Sequence, residues 1–157
     1  MSMQLKKILC PVDFSEPSAL ALARAAEMAE QAGAELHLMT VVRPMPTAMF
    51  GDGLQFSELQ NIPDMSTDMA QERLTKMRDE YGKAILDRIT LQVVLGVPFV
   101  EIVRYAREIE ADLIVMGSHG LTGIEHLLIG SVAERVVRKA PCSVLVVRDA
   151  KRRFSMP

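Results

Sequence analysis

Residues 8–33 read ILCPVDFSEPSALALARAAEMAEQAG, and this stretch decides the fold class. The apolar run Ile8 to Val12 ends in an acid and has the pattern of a strand buried on both faces of a parallel sheet. Ser15 is a preferred helix N-cap, and Pro17 suits the first helical turn. The alanine-rich helix that follows ends at Gly33, a typical C-terminal stop. The predicted buried face of this helix consists of Leu22, Ala25, Ala29 and Ala32.

Strand and helix patterns alternate along the rest of the chain. Further strands are predicted at residues 35–42, 89–96, 112–117 and 142–148. Further helices are predicted to begin near Ser66, at Pro98 and at Ser131. This alternation predicts a single α/β domain over residues 1–157, with a Rossmann-like open parallel five-stranded sheet and helices on both faces.

Two segments of the predicted domain have no such pattern. Residues 43–64 form a long variable loop that contains prolines, glycines and the methionines Met45 and Met49. Loops of this length are often lids or binding loops, and methionines suit either a core or a partner surface. Residues 149–157 form a basic tail, which we interpret as a solvated terminus rather than a contact for a partner.

The composition excludes several classes of protein. Of the 157 residues, 49% are hydrophobic and 24% charged, which is enough apolar material for one core. A net charge of −2 and an aromatic content of 4% argue against a nucleic-acid surface. No apolar run approaches the roughly 20 residues that span a bilayer, and no signal-peptide pattern is present. We therefore expect a soluble cytoplasmic protein that binds neither nucleic acid nor membrane.

The cysteines and histidines show no metal-binding pattern. Cys10 and Cys142 lie in separate apolar runs without ligand spacing, so both are predicted to be small buried side chains in a reducing compartment. His37 lies between two leucines of a predicted strand and is expected to be a packed or edge histidine rather than a ligand. His126 has no second ligand at a useful spacing. We therefore expect no metal site.

Glycines mark a candidate site in the stretch GSHGLTGIEHLLIGS, residues 117–131. Glycine lets the backbone turn sharply and lets its N–H groups approach an anion closely. A helix that begins at Gly130 and Ser131 directs free N–H groups and the positive end of its dipole to the same place. The Ser131 hydroxyl adds a donor, and His119 adds a donor or a charge. These features together describe a cradle for phosphate oxygens.

Asp13 belongs to the same crevice if the strand order is 3-2-1-4-5, because the first and fourth strands are then neighbours where the order reverses. Its carboxylate can accept the two hydroxyl hydrogens of a ribose. The alternative is that the glycines form only a strand exit and a helix cap. The P-loop pattern GxxxxGK[ST] and the dinucleotide pattern GxGxxG are both absent. The coincidence of glycines, helix start and Asp13 favours phosphate binding.

The glycine spacing resembles the nucleotide-binding signature of universal stress proteins. Gly117 is followed after two residues by Gly120, and after nine more by Gly130 and Ser131. The opening residues 8–29 and the closing residues 131–148 also resemble the first strand and helix and the last helix and strand of that family. The resemblance covers nearly the whole chain except the variable loop.

This resemblance implies a fold, a ligand and a partner. The implied sheet has five parallel strands in the order 3-2-1-4-5, with ATP held between the first and fourth, and an accompanying Mg²⁺ ion is compatible with this arrangement. Some branches of the family lack the signature and do not bind ATP, whereas here the signature is intact, which favours the ATP-binding branch. A homodimer through the last strand is also implied. The residues implied to contact the adenine nucleotide are Pro11, Val12, Asp13, Val41, Met116, Gly117, His119, Gly120, Gly130, Ser131 and Val132.

Three functions are compatible with the sequence. The first is an ATP-binding, nucleotide-responsive stress or regulatory binding module. The second is a slow ATP hydrolase or self-phosphorylating protein assisted by Asp13 or His119, although the glycine stretch contains no catalytic lysine. The adjacency of Ser118 and His119 argues against a Ser–His–Asp triad, so no catalytic residue is assigned. The third is a nucleotide-independent dimeric scaffold. We expect the first.

Overall fold

The computed structural model describes residues 4–44, 65–119 and 129–149. Its strands are β1 (Lys7–Pro11), β2 (Glu35–Val42), β3 (Ile89–Leu95), β4 (Leu113–Gly117) and β5 (Ser143–Val147). Its helices are α1 (Glu16–Ala32), α2 (Thr67–Tyr81), α3 (Pro98–Glu108) and α4 (Ser131–Lys139), with a 3-10 helix at Lys83–Arg88 that the sequence pattern does not predict. Most of the variable loop and of the basic tail, with Gly120 and His126, lies outside the described residues.

All five strands are parallel, and their order across the sheet is β3-β2-β1-β4-β5. The predicted fold class and strand order are therefore confirmed. None of the helices in the described ranges has the length and apolar character needed to cross a membrane.

The predicted signals at both ends of α1 are confirmed. The Ser15 hydroxyl accepts a hydrogen bond from the Ser18 N–H, and Gly33 takes a left-handed conformation with φ of 67°. Leu22, Ala25 and Ala29 are fully buried against the sheet. Ala32, also predicted on this face, is exposed, because α1 ends there and Gly33 turns the chain into β2.

Alternating side chains of the strands form two core layers. From β1, Ile8 and Cys10 enter a first layer with α1 and α2, whereas Leu9 enters a second layer with α3 and α4. Cys10 is fully buried, and burial raises the pKa of its thiol. Cys142 is only partly buried beside the second layer, so its predicted burial is confirmed only in part.

His37 joins β2 to α3 in the second layer. Its Nδ1 lies 3.0 Å from the Tyr105 hydroxyl oxygen, and its Nε2 lies 3.7 Å from a Glu35 carboxylate oxygen. The Nε2 atom has no hydrogen-bond partner among the described residues. Burial lowers the pKa of His37, and the Glu35 carboxylate opposes that shift. The prediction of a packed histidine is confirmed.

We predict that this histidine makes the fold less stable in mild acid. A lowered folded-state pKa means that the unfolded chain binds more protons just below the ordinary histidine pKa of about 6.5, so stability falls as the pH falls through that range. Urea unfolding between about pH 7.5 and pH 5.5 should show a smaller loss in His37→Gln than in the unaltered protein. Glu35→Gln should show a larger loss, because it removes the opposing carboxylate. Identical pH profiles for His37→Gln and the unaltered protein would contradict this account.

Candidate functional site

The backbone ladder between β1 and β4 stops before the carboxyl ends of these strands, and we call the region beyond that point the cleft. Their ladder ends at Leu9 and Ile114, although β1 continues to Pro11 and β4 to Gly117. On the other side of β4, pairing with β5 continues as far as Gly117. The strand order reverses between β1 and β4, and open parallel sheets bind ligands beyond the carboxyl ends of the strands at such a point.

Pro11 explains why the ladder stops. The Val12 N–H points to β2 and donates to the Met39 carbonyl oxygen at 2.8 Å. The preceding residue therefore faces β4, because successive residues of a central strand hydrogen-bond to alternate neighbours. Proline has no N–H to donate, which is why it is rare in central strands. The missing donor at Pro11 accounts for the end of the ladder.

The main chain of Val12 is fixed by hydrogen bonds to β2, next to the cleft. Besides the N–H bond to Met39, its carbonyl oxygen accepts a bond from the buried Thr40 hydroxyl at 2.8 Å. Its side chain lies in the first core layer and is 5% exposed. Of the residues implied to contact a nucleotide, Val12 therefore contributes a fixed main-chain position and not a side chain.

The Asp13 carboxylate is oriented by the start of α1. Its Oδ1 atom accepts hydrogen bonds from the Ser15 N–H, at 3.0 Å, and from the Ser15 hydroxyl. The same Ser15 oxygen caps α1 through the Ser18 N–H. The Ser18 hydroxyl in turn donates to the Ser15 carbonyl oxygen at 2.9 Å. The helix cap thus sets the direction of the carboxylate, a second role for Ser15 that its N-cap pattern does not reveal.

Phe14 is a further residue that the sequence pattern does not identify. Its φ of 65° is rare for a bulky residue and costs about 1–3 kcal/mol of strain. The ring packs against the first core layer, and the Arg73 guanidinium carbon of α2 lies 4.4 Å from the ring centroid. These contacts hold the chain in the sharp turn that leads from Asp13 into α1.

Ser118, which follows β4, contacts three parts of the chain on the β4 side of the cleft. Its N–H donates to the Val147 carbonyl oxygen at 3.0 Å, and its carbonyl oxygen accepts from the Gly130 N–H at 2.6 Å. Its hydroxyl oxygen lies 3.0 Å from Nδ1 of His119. A single buried residue therefore fixes the end of β5, the start of α4 and the ring of His119.

The structure gives the two described glycines roles that differ from the predicted ones. A Cβ atom at Gly117 would lie 2.8 Å from the Pro17 carbonyl carbon, so this glycine lets β4 and α1 approach closely. Gly130 has φ of −66°, which any residue adopts, so the predicted need for conformational freedom there is wrong. Its N–H is also occupied by Ser118, so the N–H groups of α4 without a helical partner begin at Ser131.

Apolar residues from three strands and α4 reach one face of the sheet beside the cleft. Met116 is buried in the second core layer, and Val41 and Val132 pack against that layer. Pro11 lies opposite Met39, two residues before Val41 on β2. The described members of the implied site thus combine an apolar wall, the Asp13 carboxylate, His119 and the α4 N-terminus. There Ser131 is exposed, and the N-cap residue Gly130 has no side chain to cap the helix.

Metal ligands do not cluster in the part of the chain that the structure describes. There, no three His, Cys, Asp or Glu residues lie close enough together to hold a metal ion.

Comparison with known sequences points to one family. The sequence model of the universal stress protein family matches residues 4–148. The universal stress protein MJ0531 of Methanocaldococcus jannaschii is 37% identical over 147 residues, which cover 94% of this chain and 84% of that protein.

Solved structures show the same relationship. MJ0577, a universal stress protein of Methanocaldococcus jannaschii, has a structure similar to this one with a TM-score of 0.76 at 31% identity, covering 98% of this chain and 100% of that chain. A universal stress protein in complex with cAMP is similar with a TM-score of 0.68 at 27% identity, covering 93% of this chain and 98% of that one.

The two glycines should respond differently to substitution. In Gly117→Ala the added methyl group meets main-chain atoms of Pro17, so we expect the free energy of unfolding to fall by about 1–3 kcal/mol. Gly130→Ser is the matched control, since serine is a preferred N-cap and the backbone there is unstrained. Urea denaturation should show no loss for Gly130→Ser. Equal losses in the two variants would show that the contact with Pro17 does not limit residue 117.

Proposed function

The chain belongs to the universal stress protein family, and we propose that it binds ATP in the cleft between β1 and β4 as a nucleotide-responsive stress or regulatory binding module. The proposal rests on the geometry of the chain at the start of α4. The N-cap residue Gly130 has no side chain to cap the helix, and the Gly130 bond to Ser118 fixes the helix start at the cleft. Such an end has N–H groups and a positive dipole available for phosphate.

Each part of a nucleotide has a chemically matched surface in this proposal. The adenine lies against the apolar wall near Val41 and Met116. The ribose hydroxyls donate to Asp13, whose carboxylate is held by Ser15. The phosphates accept from the first N–H groups of α4, the Ser131 hydroxyl and His119. The relative whose structure contains cAMP supports an adenine nucleotide as the ligand.

A binding role fits the site better than rapid phosphoryl transfer. Phosphoryl transfer needs positive groups that stabilise the moving phosphoryl charge, and the stretch from 117 to 131 contains neither lysine nor arginine. The N–H groups of a helix end bind the ground-state phosphates instead. We therefore assign ATP the role of a ligand whose occupancy changes the population of partner-binding states.

Calorimetric titration of the purified protein tests this proposal. We expect affinity to fall in the order ATP, ADP, AMP and adenosine, because each phosphate removed takes contacts from the α4 N-terminus. GTP should bind more weakly than ATP. Gly130→Val should weaken ATP binding at least about tenfold by blocking close approach, a loss of about 1.4 kcal/mol. Gly130→Ser controls for the fold. No binding at millimolar ATP would overturn the proposal.

We further infer a homodimer that forms through β5, which is an edge strand of the sheet. Because Val147 faces β4 through its bond from Ser118, Val144 and Val146 direct their N–H and C=O groups outward. Unpaired groups along an edge strand favour pairing with a second strand. Two copies related by a two-fold axis satisfy both edges at once.

Val146→Pro tests the dimer, since it removes an outward N–H without removing a donor to β4. Size-exclusion chromatography with light scattering should show a dimer for the unaltered protein and a monomer for the variant. Leu145→Pro is the matched control, because it removes an inward donor and should lower the thermal midpoint further. A monomeric unaltered protein at high micromolar concentration would contradict the inference.

A further inference from the structure

The main-chain pairing between β1 and β2 stops one bond short at the cleft. The strand pairing itself ends at Pro11 and Met39. Beyond it, the Val12 N–H still donates to the Met39 carbonyl oxygen at 2.8 Å. In a continued parallel ladder, the next bond would run from the Val41 N–H to the Val12 carbonyl oxygen. Among the main-chain bonds of the described residues, this one is missing.

The main-chain groups of Val41 face the β1 side of β2. Met39 faces β1, because its carbonyl oxygen accepts from Val12, and Val42 faces β3, because its carbonyl oxygen accepts from the Gly96 N–H at 3.0 Å. Successive residues of a strand face alternate neighbours, so the Val41 N–H and carbonyl oxygen are directed to β1. The Val41 side chain packs against the second core layer, beside the cleft. A main-chain donor and a main-chain acceptor therefore lie together at the edge of the cleft.

The Thr40 hydroxyl accounts for the missing bond. It donates to the Val12 carbonyl oxygen at 2.8 Å, and the residue is 3% exposed. Leu38, two residues earlier on β2, lies in the first core layer, so the Thr40 side chain projects to that layer as well. The Val12 carbonyl oxygen is thus bound from the first-layer side of the sheet and not by the Val41 N–H. A side chain occupies the acceptor that would otherwise close the ladder.

A neighbouring donor and acceptor suit adenine better than a 6-oxo purine. Adenine presents its 6-amino group as a donor next to a ring nitrogen that accepts, whereas guanine presents an acceptor oxygen at position 6. Hypoxanthine, the base of ITP, has the same 6-oxygen as guanine. The Val41 carbonyl oxygen can accept from the amino group of adenine, and the Val41 N–H can donate to a ring nitrogen. A 6-oxygen would instead meet another acceptor, which leaves both oxygens without a proton.

We propose that Thr40 is a positioning residue that holds the Val12 carbonyl oxygen away from Val41, so that the Val41 main chain is available to the base of the nucleotide. The first half of the proposal concerns the protein alone, and the second half rests on the proposed function. Pro11 lacks a donor on the β4 side of β1, and Thr40 occupies an acceptor on the β2 side. Together these residues end the pairing of β1 with both neighbours at the cleft.

Amide hydrogen exchange, measured by nuclear magnetic resonance on the nucleotide-free protein, tests the first half. The Val41 amide should exchange at least about tenfold faster than the amides of Thr40 and Val42, which face β3, because a bonded amide exchanges only after local opening. Thr40→Val removes the hydroxyl and frees the Val12 carbonyl oxygen, so exchange at Val41 should slow at least about tenfold. Thr40→Ser retains the hydroxyl and should keep the rapid exchange. A protected Val41 amide in the unaltered protein, or equal exchange in Thr40→Val, would overturn the proposal.

Calorimetric titration with ATP and ITP tests the second half. The unaltered protein should bind ATP at least about tenfold more tightly than ITP, because the 6-oxygen of ITP opposes the Val41 carbonyl oxygen. Thr40→Val should weaken ATP binding about three- to tenfold and ITP binding less, since ATP alone loses a well-matched bond to the Val41 N–H. The preference for ATP should therefore shrink in Thr40→Val and be retained in Thr40→Ser. An equal loss for both nucleotides would show that Thr40 has a purely structural role.

The two measurements separate failure of the inference from failure of the proposed function. If the unaltered protein does not bind ATP but Val41 exchanges rapidly and this depends on the Thr40 hydroxyl, the function is wrong and the positioning by Thr40 stands. If ATP binds and the Val41 amide is protected without nucleotide, the function stands and the inference is wrong.

Discussion

A missing hydrogen-bond donor in the middle of the sheet marks the place where we propose that this protein holds its ligand. Parallel sheets normally pair along the whole of their central strands, since an unpaired backbone group in a dry interior is costly. Pro11 interrupts that rule on the side of β1 that faces β4, and the ladder ends at Leu9 and Ile114. The sheet remains closed elsewhere, because β1 stays paired with β2 as far as Pro11 and Met39. The interruption of the ladder is therefore local and lies at the reversal of strand order.

The segments on the two sides of the cleft are held by hydrogen bonds and by packing. On one wall, the α1 cap orients Asp13, and a strained Phe14 is held by the first core layer and by Arg73. On the other, Ser118 fixes the start of α4. Strain such as that at Phe14 persists only where surrounding contacts over-determine the backbone. In the binding mode that we propose, the fixed positions of Asp13 and of the α4 start leave less ordering free energy to oppose binding.

The fold was predictable from sequence because its determinants are local. The apolar run at residues 8–12, the cap at Ser15 and the stop at Gly33 each depend on neighbours within a few residues. For the candidate site, the sequence indicated candidate residues but not the contacts between them. That Thr40 bonds to Val12, or Gly130 to Ser118, depends on contacts between residues distant in the chain, which periodicity does not encode. The glycine interpretation was wrong at Gly130 for the same reason, since φ is set by the tertiary contact and not by residue type.

Ser118 also connects the two surfaces to which we assign a ligand and a partner. Its N–H donates to the inward-facing carbonyl oxygen of Val147. Its carbonyl oxygen accepts a hydrogen bond from the Gly130 N–H at the start of α4. If phosphate binding orders the start of α4, the same restraint acts through Ser118 on the last residue of β5. If a second copy orders β5, the restraint acts in the opposite direction. Linkage requires the two effects to be equal in free energy, so a nucleotide that tightens the dimer must bind more tightly to the dimer than to the monomer. The short path through the main chain of Ser118 gives this coupling a physical route.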